Sequence, residues 1–197
     1  MSFYPYALLL HIVGVLGLFI LWALELTSML CLRRARTVTQ FREWGRLCRL
    51  VLQLFPVMVL LILTGGITMV LLAWGWTRAW IDLGLGLLVL MAVLGTAIQG
   101  RRLEALYAEA AAAPDGPAPR TLRGKIEDRV IWASVLAMGG TMLGIVALMT
   151  LKPDWFEATA IIVVATLLGL VAGLALARKS PSLAESQPSA EPAISRS

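Results

Sequence analysis

The sequence predicts an all-α polytopic membrane bundle, with five transmembrane helices, the N-terminus outside and the C-terminus in the cytoplasm. Three observations carry that expectation. Of 197 residues, 59% are hydrophobic and only 15% charged, with mean hydropathy +0.82, more apolar and less charged than ordinary soluble domains. Apolar runs recur at about 6–32, 47–73, 80–100, 130–151 and 156–177, each close to the ~20 residues that a bilayer-spanning helix needs. Fifteen of the 17 Lys and Arg residues follow the first, third or fifth run, which leaves only Arg78 and Lys152 for the opposite side. Short cytoplasmic loops carry such an excess of cations. The net charge of +5 therefore reports topology. It does not point to nucleic acid, and the partner it implies is the lipid bilayer.

The first run, Tyr6–Leu32, ends against Arg33, Arg34 and Arg36. The residues before it, MSFYP, hold no Lys or Arg, so the basic leader of a signal peptide is missing and a retained helix is expected. The run contains His11, the only histidine, and Glu25. Fourteen residues apart, the two lie within roughly 40° of each other around a helix and about 21 Å apart along it. Leu18 and Trp22 fall on the same stripe. Ionisable groups inside a span are costly and mark function by default. Here they suggest a proton or redox path or a cofactor ligand, against the plainer alternative of polar groups satisfied by neighbouring helices.

Between the first and second runs, Val38, Phe41, Trp44 and Leu47 stand near helical spacing, which suggests a short helix on the inner surface. Pro56 interrupts the second run and is expected to kink it. Thr64-Gly65-Gly66, two turns on, makes room for a ligand or for a bulky neighbour such as Trp22. After the third run, RRLEALYAEAAAA is rich in helix formers and is expected to prolong that helix until Pro114, Pro117 and Pro119 end it. The loops at Gly75–Arg78 and Lys152–Trp155 are too short for a domain. Aromatic residues (Tyr4, Tyr6, Trp74, Trp76, Trp80, Trp155, Phe156) gather at that outer end, the headgroup level that such rings favour. Residues 1–179 form one bundle, and the Ser-, Pro- and Glu-rich tail 180–197 is expected to be disordered. Gly140/Gly144 and Gly169/Gly173 are GxxxG pairs, the second extended by Ala165 and Ala177. Small residues at this spacing let backbones approach, either inside the bundle or across a homo-oligomer.

By depth, Glu25, Gln53 and Gln99 form an inner polar cluster, with Thr27, Ser28, Thr96 and Ser134 near them and Arg49 within reach of Glu25. Asp82 and Glu157 are expected to be solvated or to pair with Arg78 and Lys152. His11 stands in the outer half with Met69, Met142 and Met149. Imidazole with thioether suits Cu(I), or one haem with His/Met ligation. Methionine is also an ordinary filler of helix interfaces. A bis-histidine haem within one chain is excluded by the single histidine. Cys31 and Cys48 form no CxxC motif, and no catalytic triad, metalloprotease motif or phosphate loop is present.

LLLHIVGV in the first run, FPVMVLLILTGG in the second, the Arg101-Arg102 pair and MTLKP at the end of the fourth resemble small bacterial membrane proteins over about Tyr6–Pro153. The resemblance is to the uncharacterised integral membrane family called domain of unknown function 2269, and more distantly to copper-resistance D-like and HemJ-like proteins. It implies a membrane bundle. Through the HemJ type it implies haem at a first-helix histidine, matched here by His11, with protoporphyrinogen oxidation as the activity. Through the copper-resistance type it implies copper movement across the inner membrane. Two functional classes follow: a membrane cofactor or metal protein using His11 with Met69 or Met149, and a non-catalytic component whose cytoplasmic loops or glycine faces bind partners.

Overall fold

The structure is a computed structural model that describes residues 3–178, so the tail at 180–197 lies outside it. Helix α1, Tyr4–Arg34, opens with Pro5 in its first turn, where a missing N–H costs nothing, and ends on Arg33 and Arg34, cations suited to the carbonyl end. A capping box follows, in which Thr37 and Gln40 satisfy each other's backbone N–H groups. It starts α2, Val38–Met69, which runs into a π-helical turn at Val70–Trp74. Then come α3 (Ala79–Leu94), a second π-helical turn (Gly95–Gly100), α4 (Arg101–Ala112), α5 (Arg120–Ile126), α6 (Arg129–Leu151) and α7 (Trp155–Arg178). No strand occurs among the described residues, only an isolated bridge between Thr37 and Pro117. Five helical stretches are long and apolar enough to cross a membrane: Tyr4–Arg34, Val38–Trp74, Ala79–Ala112, Arg120–Leu151 and Trp155–Arg178.

The separate surface helix expected before the second run is absent. Its residues are the first turns of α2, because the Thr37 box starts a helix that nothing between Val38 and Leu47 stops. The helix also continues through Pro56. The extension after the third run is found as α4.

Two helix pairs make the bundle, α1 on α2 and α6 on α7, with α3 leaning on α6 and touching α2 far less. Glycines set both close approaches. A Cβ at Gly65 would stand 2.5 Å from the Ala7 carbonyl oxygen and 2.7 Å from the His11 nitrogen. A Cβ at Gly140 or Gly169 would strike the backbone oxygen of Ala165 or Leu136, and one at Gly173 would lie 2.5 Å from that of Trp132. At Gly144 it would meet the Ile162 side chain at 2.9 Å. All four GxxxG glycines thus face the partner helix within their own chain. Trp22 is also not where the sequence suggests. Its indole lies over Gly139 of α6 and donates to the Val135 carbonyl at 3.0 Å, while Gly65 and Gly66 seat His11.

At the end rich in Arg, a small apolar core closes the bundle. Leu32, Phe41, Leu106, Leu122 and Ile126 pack together there. Arg42 ties it down by donating to the carbonyls of Ala110 and Ala113 and to Asp115. Ala118 N–H donates to the Arg36 carbonyl at 2.7 Å and Val38 N–H to that of Gly116 at 3.0 Å. At the opposite end Lys152 (φ 53°, ψ 50°) takes the left-handed helical conformation and Gly75 (φ 68°, ψ 167°) another positive-φ one, and both turn the chain sharply.

Candidate functional site: two chambers in one cleft

The seam between the helix pairs holds two cavities of about 330 and 360 Å³. Residues of α1, α2, α3 and α6 wall both, and Leu18, Leu63, Leu88 and Met142 line both. They are successive chambers of one cleft, with those four apolar side chains as the partition. The first lies toward the tryptophan-rich end and contains His11. The second lies toward the arginine-rich end and contains Glu25. The His11–Glu25 stripe read from the sequence therefore faces this cleft at two levels.

The first chamber brings together all the sequence-derived ligand candidates of the outer half. His11, Met69, Met142 and Met149 line it, with Trp74, Trp76 and Trp80 at one end. His11 is half-buried and rides over Gly66, where a Cβ would come within 3.3 Å of Nδ1. Its Nδ1 lies 3.0 Å from the Ile62 carbonyl oxygen. A carbonyl only accepts, so Nδ1 carries the proton and Nε2 keeps its lone pair. Metal-bound histidines are oriented in this way, by donating the other ring N–H to a carbonyl. The Met149 methyl packs where α3 has Gly84, 2.8 Å from the position a Cβ would take. Trp74 stacks edge-on against Trp80 (5.4 Å, 85°), donates to the Tyr4 hydroxyl at 3.4 Å and carries Lys152 Nζ 4.2 Å from its ring centroid. Lys152 thus sits over an indole.

The second chamber holds Glu25, Gln99 and Thr96, but not Gln53. Gln53 is exposed, and the inner polar cluster is corrected accordingly. Leu52, Phe55, Pro56, Val59 and Leu63 line the cavity at helical spacing. Gln53, one residue from Leu52, is turned about 100° off that stripe. Arg49 does not reach Glu25 either; it pairs with Glu104 at 2.9 Å. Glu25 is 2% exposed, and its Oε1 has no hydrogen-bond partner. Gln99 Nε2 donates to Ser134 Oγ at 3.4 Å, and Ser134 donates its own hydrogen to the Ile131 carbonyl at 2.9 Å.

Neither the partition nor the π-helical turn at Gly95–Gly100, which supplies four wall residues, follows from composition or from helical periodicity. Glycines five apart were the only signal for that turn. No group of three or more His, Cys, Asp or Glu side chains placed to hold a metal occurs among the described residues, so a metal here would need sulfur from methionine. Comparison with known protein families, characterised proteins and solved structures gives no match for this chain.

Proposed function

We propose that this chain is a multi-pass protein of the bacterial inner membrane, N-terminus outside and C-terminus inside, that binds Cu(I) within the bilayer through His11 and methionine sulfur. Membrane placement is supported by the apolar side chains left exposed along the helices, among them Leu9, Leu16, Leu60, Leu71, Leu168 and Val171. Such a surface is unfavourable in water and ordinary against lipid. Orientation is supported by the cation count.

The observation that carries the binding reading is the His11–Ile62 hydrogen bond beside three methionines. It fixes the tautomer that leaves Nε2 as donor atom to a metal. Met69, Met142 and Met149 supply soft, flexible thioethers around the same space, and imidazole with thioether selects Cu(I) among the biological metals. Haem with His/Met ligation is a second reading. It is favoured by Lys152 beside Trp74, a cation next to the chamber where a propionate would need one.

Protein in nanodiscs, titrated with Cu(I) against a chromophoric chelator and separately with haem, tests both. Expected is one Cu(I) per chain, weakened at least about tenfold in His11→Ala and several-fold in Met149→Leu, since one soft ligand contributes on the order of 1.4 kcal/mol or more. A Soret band that depends on His11 would replace copper by haem. No binding of either ligand, or binding unchanged by His11→Ala, would leave His11 as a helix-packing residue and the chain as a non-catalytic membrane component.

A further inference from the structure

The second chamber has a polarity of its own. The indole and hydroxyl donors on its wall are already used. Trp22 Nε1 is held by the Val135 carbonyl. Ser134 spends its hydrogen on Ile131, so Gln99 must be the donor between them, and the Gln99 Oε1 is left as an acceptor. That oxygen hangs over Gly95, 3.9 Å from where a Cβ would be. Thr96 gives its hydrogen to the carbonyls of Ala92 and Val93, leaving oxygen lone pairs. Glu25 Oε1 is buried and unpartnered. Glu25, Gln99 and Thr96, each with an acceptor oxygen, therefore line an otherwise apolar space with no protein cation among its wall residues. A buried acceptor without a donor is costly, and a ligand that brought donors and positive charge would relieve it.

The way in is also defined. Pro56 and Leu60 of α2, Ala92 of α3 and Thr96 of the π-helical turn that follows it line the chamber and are exposed, so it opens sideways where α2 and α3 scarcely touch. That opening is apolar. Within the proposed membrane placement it faces lipid acyl chains, and it admits a molecule that partitions there.

We infer that the Glu25 chamber is a binding site for lipophilic ammonium compounds, the charged nitrogen donating to Glu25, Gln99 and Thr96 while its alkyl body leaves between α2 and α3. A primary ammonium offers three donors, matching the three acceptors. Tight binding follows because a charge-assisted hydrogen bond is worth about twice a neutral one. The site is separate from His11 and does not require copper.

The test uses the full chain in zwitterionic-lipid nanodiscs with radiolabelled dodecylamine as the probe. Saturable binding is expected, displaced by unlabelled dodecylamine and at least about tenfold less well by dodecanol, which has the same chain and no charge. Glu25→Gln should weaken binding by a similar factor, and Thr96→Val by a few-fold. Ala92→Trp, at an exposed rim position where added bulk does not disturb the fold, should block the opening. His11→Ala should bind the amine like the parent, so this result is independent of the copper titration. Equal displacement by dodecanol, or amine binding unchanged in both Glu25→Gln and Ala92→Trp, would overturn the inference and reduce the chamber to a lipid-filled gap.

Discussion

At the scale of single residues, position relative to the cleft decides what a polar side chain does. Arg42 and Arg49 are seven residues apart on one helix, yet their substitution should differ. Arg42 bridges the carbonyls of Ala110 and Ala113 and the Asp115 carboxylate. Its replacement by alanine should cost about 2 kcal/mol, at ~1 kcal/mol for each of the bonds that matter. Arg49 and Glu104 are both 55% exposed, so Arg49→Ala should stay within about 1 kcal/mol. Thermal unfolding of the detergent-purified variants checks the order, and equal shifts would contradict it. Residue identity was the legible part. His11, Glu25 and the methionines stood out because polar or soft atoms are rare in apolar runs. Their partners were not legible. One residue of helical phase separates Leu52 on the cavity wall from Gln53 outside it, and depth alone does not resolve 100° of rotation.

At the scale of helices, the small residues set the architecture. Gly173→Leu should lower the unfolding temperature far more than Gly86→Leu. The first would drive a side chain into the Trp132 backbone, whereas a Cβ at Gly86 meets nothing within 4 Å. Overpacking against a backbone costs about 1–3 kcal/mol or more, and an open position costs within about 0.5 kcal/mol. The five long helices were readable because composition and length suffice for them. The start of α2 was not. The mixed polarity of 37–46 resembles a surface helix, and only the reciprocal Thr37–Gln40 cap, together with Phe41 packed in the core beyond the apolar run, makes it one rod with the second run. The hand-over from α3 to α4 through a π-helical turn depends on packing that a periodicity cannot reveal.

At the scale of the molecule, the proposed orientation makes a sharp prediction. A fluorescent reporter fused after Arg178 should glow and a phosphatase there should be inactive, with the reverse pattern at Trp76; a phosphatase-active fusion after Arg178 would refute the orientation. The rod Val38–Trp74 has 37 residues, about 55 Å at 1.5 Å per residue, against a hydrocarbon layer of ~30 Å. In that placement its first turns, with Arg42, Arg46 and Arg49, stand clear of the lipid and build the apolar core at the arginine-rich end. The sequence showed the two ends of the molecule, basic and aromatic, because charge and ring placement are written directly in it. The cleft between them is a property of how two helix pairs fail to close on each other, and no local pattern encodes it.

That division into pairs also has a consequence for biogenesis. Each tight pair joins helices that are neighbours in sequence, so α1 and α2 can associate as soon as both have left the ribosome, while α6 and α7 must wait for the last third of the chain. Contacts between near neighbours form early, and those across long separations late. The seam that contains both chambers joins the products of the two rounds. The proposed ligand sites are then the last part of the protein to come into being. The Met58 sulfur occupies the place a Cβ on Gly17 would take, so a nascent chain released after Ala112 should already form a crosslink between cysteines placed at positions 17 and 58, yet bind neither copper nor amine.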